Sequence, residues 1–245
     1  MSSPFLSIVI PAYNEETRLP QTLERLTRFL STHGYDFEIL IVENGSTDRT
    51  LEVARSYAQK DRRIRTFHED QAGKGRAVRR GMLEARGAYR FLCDADLSMP
   101  EEEIPRFLPP QQDCAIAIAS REAPGAIRYD EPFYRHLSGR IFNLLIRFLL
   151  LPNIQDTQCG FKCFRAEVAE DLFRRQTLMG WSFDVEILYI AQKRGYQICE
   201  IPIRWYFNPE SKIRLFRDAW RMFLDLLQIR WNAKRGIYDA PIARN

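Results

Sequence analysis

Two carboxylates, Asp94 and Asp96, close an apolar run in "FLCDADLSMP", with Ala95 between them. Residues two apart on an extended chain project to the same side, so both acids can converge on one cation where the strand leaves a sheet. Oxygen ligands of this kind suit Mg2+ or Mn2+, with water and a substrate phosphate completing the shell. The same letters also describe a turn rich in helix-capping acids, because "SMPEEE" opens a helix. The pair alone does not choose between these readings.

Three other segments carry polar or cationic groups at corresponding places. "IPAYNEE" (10–16) ends the first predicted strand, "VENGSTD" (42–48) ends the second, and "GKGRAVRRG" (73–81) opens the helix before the strand that ends in the two acids. In a parallel sheet these points lie on one edge, the edge where ligands bind. "AGKGRAV" lacks the third glycine of a dinucleotide fingerprint and does not follow the first strand, and a phosphate-binding Walker loop needs Ser or Thr after its lysine.

The elements that position these segments follow from the alternation of short branched apolar runs with longer amphipathic ones, the pattern of an α/β fold with a mainly parallel central sheet and crossover helices. Strands are predicted at 6–10, 37–42, 64–67, 89–93, 115–119, 162–164 and 197–201. Helices are predicted at 16–31, 48–59, 74–85, 101–107, 133–150, 166–175, 183–194 and 214–231, with Ser46 or Thr47 as a cap for the second. The 245 residues are expected to form one domain, with neither linker nor repeat.

A net charge of +4 calls for no nucleic-acid partner. Five scattered cysteines, an odd number without a CxxC, are expected to be reduced and buried in a cytoplasmic protein. The opening "MSSPFLSIVIPAYNEE" reads as a first strand, not a leader. The longest apolar stretch, 141–152, is broken by Arg147 and is shorter than the roughly 20 residues that cross a bilayer, so no transmembrane helix is predicted.

Taken together the chain resembles the family 2 glycosyltransferases of GT-A fold over nearly its whole length. Within them it is most similar to the enzymes that load a sugar onto dolichyl or another polyprenyl phosphate, the β-glucosyltransferases first and the mannose synthases second. "DTQCGFKCF" (156–164), "WSFDVEILYIAQKRGY" (181–196) and "SKIRLFRD" (211–218) carry that likeness. The resemblance implies a nucleotide-sugar-binding part (1–120) and an acceptor-binding part (121–245) that ends in an amphipathic helix. It implies a nucleotide-sugar donor bordered by Pro11, Ala12, Tyr13, Asn14, Glu15, Glu43, Gly45 and Ser46, with Gly73, Lys74 and Gly75 near the base or diphosphate. Asp94, Ala95 and Asp96 would then meet the diphosphate, the two acids holding Mg2+ or Mn2+.

On the acceptor side the resemblance implies phosphate contacts from Arg121 and Arg135, joined by Arg140, Lys212 and Arg214. A lipid phosphate needs no strong general base, since a phosphomonoester is largely dianionic at pH 7. A sugar hydroxyl would need one, and Asp156 and Asp184 are the candidates, although each also has a structural reading as a turn or cap residue. In 133–150, His136, Arg140, Asn143 and Arg147 form a polar stripe, and the apolar remainder suits either a core or a lipid surface. In 214–231, Phe216, Trp220, Phe223, Leu224, Leu227 and Trp231 form an aromatic stripe with the same two readings.

"VENG" stands where the family more often has VDDG, which leaves the nucleotide preference open, and Ser98 stands where the mannose synthases commonly have glutamine, which favours UDP-glucose over GDP-mannose. The expectation is an inverting, metal-dependent hexosyltransferase, peripheral on the cytoplasmic face of a membrane. A catalytically silent nucleotide-sugar-binding module is the alternative of another class.

Overall fold

The apolar runs become strands β1 (Leu6–Ala12), β2 (Phe37–Asn44), β3 (Ile64–Glu69), β4 (Tyr89–Leu92) and β5 (Ile116–Ser120). After them come β6 (Ile127–Tyr129), β7 (Lys162–Arg165), β8 (Ile198–Pro202) and β9 (Arg204–Tyr206). The helices are α1 (Leu19–Thr32), α2 (Thr50–Lys60), α3 (Lys74–Glu84), α4 (Phe133–Leu149), α5 (Ala166–Arg175), α6 (Phe183–Lys193) and α7 (Leu215–Lys234). The computed structural model describes residues 3–208 and 215–239. Residues 101–107 form a 3₁₀ segment instead of the predicted α-helix, with Pro105 inside it.

Seven strands make one sheet in the order β3-β2-β1-β4-β7-β5-β8. Every residue of β2 is buried and β1 is nearly so, as a strand covered on both faces requires. Leu6, Ile8 and Ile10 share a cluster with Leu19, Leu23, Leu26 and Leu30 of α1. Their alternates Val9 and Leu40 join Val78 and Met82 of α3 in a second cluster with α5 and α6. The expected fold class is what forms.

Two features of the topology place the site. β1 pairs in parallel with β2 on one side and β4 on the other, so the chain changes direction across the sheet there and leaves a crevice at the carboxyl ends of these strands. β7 runs antiparallel to both β4 and β5. The loop that precedes β7 therefore reaches the same edge as the loops that follow β4 and β5, bringing 156–160 to the crevice.

Three further details depart from the sequence reading. β6 and β9, too short to show a period, pair in parallel as a separate two-stranded sheet. Cys114 and Cys199 are joined in a disulfide with Cα atoms 6.3 Å apart, while Cys93, Cys159 and Cys163 are free and buried. The expectation of five reduced thiols missed this because the parallel pairing of β5 with β8 brings together cysteines 85 positions apart. Ser46 and Thr47 do not cap α2; its N-cap position is Arg49, and the Thr50 amide at its start donates to Asp48 Oδ1 at 2.9 Å.

Candidate active site

Side chains stitch the loops after β1 and β2 together. Asn14 takes a left-handed conformation, φ +52°, which Asn tolerates better than most residues. Its amide donates to Ser46 Oγ at 3.0 Å and its side-chain oxygen accepts from the Thr47 amide at 2.8 Å. The Glu15 amide donates to Thr50 Oγ1 at 2.7 Å. Gly45 has φ +73°, and a Cβ there would stand 3.2 Å from the Ala72 nitrogen, so the turn needs glycine.

Glu43 is buried and accepts from the Ser46 amide and from His68 Nδ1, raising the His68 pKa. Its carboxylate thus orders the Gly45-Ser46 turn. The Asn44 amide, oriented to satisfy both neighbours, donates to the Ala12 carbonyl at 2.7 Å and accepts from the Gly73 amide at 3.0 Å. An ionised aspartate at 44 has no donor for Ala12. Pro11 and Ala12 end β1, and Tyr13 just beyond them is exposed.

The glycines of "GKG" serve close packing. A Cβ on Gly73 would lie 2.6 Å from the Met179 carbonyl oxygen, and one on Gly75 would lie 2.8 Å from that of Leu178. The Gly75 and Arg76 amides donate to the Gly180 and Met179 carbonyls, both at 3.2 Å. Amides that a helix start offers to an anion are spent here on the 178–180 loop. Lys74 is what the segment presents.

Lys74 Nζ lies 2.7 and 2.9 Å from the two oxygens of Asp94 and 5.7 Å from the centre of the Trp181 ring. Burial works against its charge, but Asp94, Asp184 and Asp96 outweigh that and raise its pKa. Asp94 presses so closely on Gly160 that a Cβ there would sit 1.9 Å from the carboxylate oxygen. Asp96 Oδ1 accepts from the Ser98 amide at 3.0 Å, while Leu97 is left-handed at φ +45°. Thr22 Oγ1 of α1 donates to the Ala95 carbonyl at 2.6 Å and anchors the turn.

Among the described residues no three His, Cys, Asp or Glu side chains gather into a metal-ligand group. Two carboxylates completed by the oxygens of a diphosphate nevertheless meet the needs of Mg2+ or Mn2+. The pair fits such an ion in the presence of a donor, with Asp94 already sharing its charge with Lys74.

The same 156–160 loop carries Asp156, which grips Arg121 from both oxygens at 2.7 and 2.9 Å and also accepts from the Arg121 amide at 3.0 Å. Burial alone would raise the Asp156 pKa, yet the Arg121 guanidinium holds it down at about 2 and has its own pKa raised in return. Glu200 on β8 accepts from the Gln155 and Asp156 amides at 2.9 and 3.0 Å and fixes the loop. Asp184 lies in the first turn of α6, after an N-cap at Ser182, and meets Lys162 Nζ at 2.6 Å with both side chains almost fully buried. Burial raises the Asp184 pKa, and Lys162 and Lys74 pull it part of the way back. Each base candidate is therefore held by a cation, and both are buried away from solvent.

Arg121 stands 5.4 Å from the centre of the Trp205 ring on β9, and Arg128 on β6 stands 5.9 Å from it. Arg128 binds Glu131 at 2.6 Å and also pairs with Glu122. Arg135, in the first turn of α4, has a buried Nε with no hydrogen-bond partner. Arg140 is exposed and lines a cleft of about 260 Å³ with Asn143, Leu144 and Arg147, whose lining also includes Glu122 and Gln155, the chain neighbours of Arg121 and Asp156. Lys212 and Arg214 lie outside the described residues.

The sequence reading missed Gly160, Lys162, Trp181, Trp205 and Arg128. Lys162 had a signal, since a lysine inside an otherwise apolar strand, "GFKCF", has to be paired when buried.

The apolar faces of α4 and α7 are turned outward. Ile146 is the only residue of α4 that is fully buried, while Phe133, Leu137, Ile141, Leu144 and Phe148 are exposed, Phe148 to 85%. On α7, Met222, Leu226 and Ile229 face the core, leaving Trp220, Leu224, Leu227 and Trp231 in solvent. A buried role is thereby excluded for most of the apolar side of α4 and for these four residues of α7. No helix among the described residues is long and apolar enough to cross a membrane.

The model of the family "Glycosyl transferase family 2" matches residues 7–173. A dolichyl-phosphate beta-glucosyltransferase of Dictyostelium discoideum is 34% identical over 96% of this chain and 76% of its own length. The Homo sapiens protein of that name is 35% identical over 92% of this chain and 74% of its own length. Two solved structures share the fold at low identity. Mycobacterium tuberculosis glucosyl-3-phosphoglycerate synthase, in complex with Mn2+ and UDP-glucose, has a TM-score of 0.66 and 16% identity over 98% of this chain and 81% of its own. Rubrobacter xylanophilus mannosyl-3-phosphoglycerate synthase has a TM-score of 0.68 and 16% identity over 99% of this chain and 77% of its own.

Proposed function

From the premise that this chain belongs to glycosyl transferase family 2, we propose that it moves glucose from UDP-glucose to the phosphate of a dolichyl or other polyprenyl phosphate. The dolichyl-phosphate beta-glucosyltransferase relatives support the reaction, and the state of the carboxylates supports the nature of the acceptor. Asp156 and Asp184 are both held by cations, whereas Arg135 keeps a buried donor unpartnered. A site with cations to spare and no disengaged base suits a nucleophile that arrives already ionised. A phosphomonoester, with a second pKa of about 6, is one.

In this reading a phosphate oxygen forms a bond to the anomeric carbon as the bond from that carbon to the donor diphosphate breaks, with inversion. Arg121 and Arg135 hold the acceptor phosphate, with Arg140 at the mouth of the cleft and Lys212 and Arg214 as further cationic candidates. Asp156 orients the Arg121 fork through two hydrogen bonds. The stitched 11–15 and 43–46 turns border the nucleotide, and Lys74 sits beside the diphosphate. Asp94 and Asp96 would hold a divalent cation, which would supply Lewis-acid stabilisation of the leaving diphosphate.

Residues 1–120 serve the donor and 121–245 the acceptor, within one domain. The outward apolar faces of α4 and α7 support a peripheral seat on a lipid surface, which we place on the cytoplasmic side, within reach of soluble nucleotide sugars.

The test is turnover with Mn2+ and a short polyprenyl phosphate, comparing UDP-glucose, GDP-mannose and UDP-N-acetylglucosamine. Lipid-linked glucose from UDP-glucose is expected, at a rate at least about tenfold above the other donors. A lipid-linked product from none of the three, alongside transfer to a free saccharide, would overturn the proposal.

A further inference from the structure

α7 touches the donor side of the molecule as well as the solvent. Ser182 is the N-cap of α6, a place where a serine ordinarily accepts a hydrogen bond from its own helix's first amides. It makes no such cap; its buried hydroxyl instead donates to Asp225 of α7 at 2.6 Å. A local helix cap is given up for a contact between helices.

A second clasp lies about two helical turns further along α7. Asn232 donates to Thr177 Oγ1 at 3.0 Å, and Tyr238, just past the helix, donates to Glu186 at 2.8 Å. Glu186 in turn accepts from the Thr177 and Leu178 amides at 3.0 and 2.8 Å. Both clasps hold the segment 177–182.

That segment shapes the start of α3. Its carbonyls at Met179 and Gly180 receive the Arg76 and Gly75 amides, and Gln176 Nε2 donates to the Gly75 carbonyl at 2.9 Å. Trp181 lies against Lys74, which holds Asp94. An unbroken series of contacts thus runs from α7 through Ser182 and Trp181 to the Lys74–Asp94 pair.

We propose that Asp225 and Ser182 are positioning residues for the Lys74–Asp94 pair, and that α7 is the brace that sets affinity for the nucleotide. The reading of Lys74 and Asp94 as donor-site groups comes from the proposed function; the bracing itself does not depend on it. The helix whose outer face is offered to lipid thereby also holds the donor loop.

Asp225→Ala, Asp225→Asn and Ser182→Ala test this in the full chain by amide hydrogen exchange and by the Kd of UDP with Mn2+. Asp225→Ala and Ser182→Ala are each expected to speed exchange at 178–182 and at Gly75 and Arg76 by about tenfold and to raise the Kd for UDP by about tenfold, the scale of one lost hydrogen bond. Asp225→Asn, which keeps an oxygen to accept from Ser182, is expected within about twofold of wild type. Variants that melt earlier but keep wild-type exchange at Gly75 and Arg76, or wild-type UDP affinity, overturn the proposal. If the wild-type protein fails to bind UDP, the donor reading falls, while the exchange data still decide whether α7 braces the loop.

Discussion

The two edges of the crevice are built on opposite plans. On the edge we assign to the donor nearly every polar group named above is already engaged: Asn14 with Ser46 and Thr47, Asn44 with Ala12 and Gly73, Asp94 with Lys74. On the edge we assign to the acceptor Arg135 keeps an unpartnered donor, Arg140 faces solvent, and α4 leaves Phe133, Leu144 and Phe148 uncovered. A preorganised polar edge costs little reorganisation when a small, charged, water-soluble ligand arrives. An open edge with apolar flanks and a spare cation suits a ligand that brings its own charge and its own apolar chain. One loop, 156–160, serves both plans, with Asp156 on Arg121 and Gly160 against Asp94.

The contrast can be broken from either side. Asp96→Ala is expected to lower turnover by roughly a thousandfold while leaving the circular dichroism spectrum and melting point near wild type, because it removes charge from the leaving-group side. Retained activity would end the donor-edge assignment. Gly160→Ala forces Asp94 off its position by putting a methyl where its oxygen sits, and a fall of about a hundredfold in kcat/KM is expected for a displacement on the order of 1 Å. Arg135→Ala should act on the other edge alone, raising KM for the lipid phosphate about fiftyfold with KM for the nucleotide sugar little changed.

The pairing of Asp156 with Arg121 has a signature in stability. A carboxylate depressed from 3.8 to about 2 stabilises the fold fully above about pH 4 and loses that contribution as pH falls through about 2. Denaturant titrations should show about 2 kcal/mol lost between those limits, and Asp156→Asn should flatten that part of the profile. The smallest effect is expected at the periphery: replacing Trp220 and Trp231 together by alanine should weaken vesicle binding about tenfold, with less change for a short acceptor in solution.

Much of this arrangement was legible in the chain. The seven sheet strands and the helices from α1 to α7 follow from apolar period, and "FLCDADLSMP" stood out because its acids end a buried run. What was not legible depends on partners distant in sequence. The antiparallel direction of β7 decides that 156–160 reaches the crevice, and nothing in "FKCF" specifies direction. The pairing of the two base candidates, Asp156 and Asp184, could not be read because their cations, Arg121 and Lys162, lie 35 and 22 positions away. The outward face of α4 was equally compatible with a core helix, since an apolar stripe does not say whether another element will cover it.

The most direct measurement is the fate of glucose from UDP-glucose when the acceptor's phosphate is present or removed. With Mn2+ and wild-type protein, a polyprenyl phosphate should yield a product in which glucose is linked through phosphate with inverted configuration, and the matching polyprenol should yield none. Transfer to the polyprenol or to a free saccharide, with the lipid phosphate inert, would contradict the account.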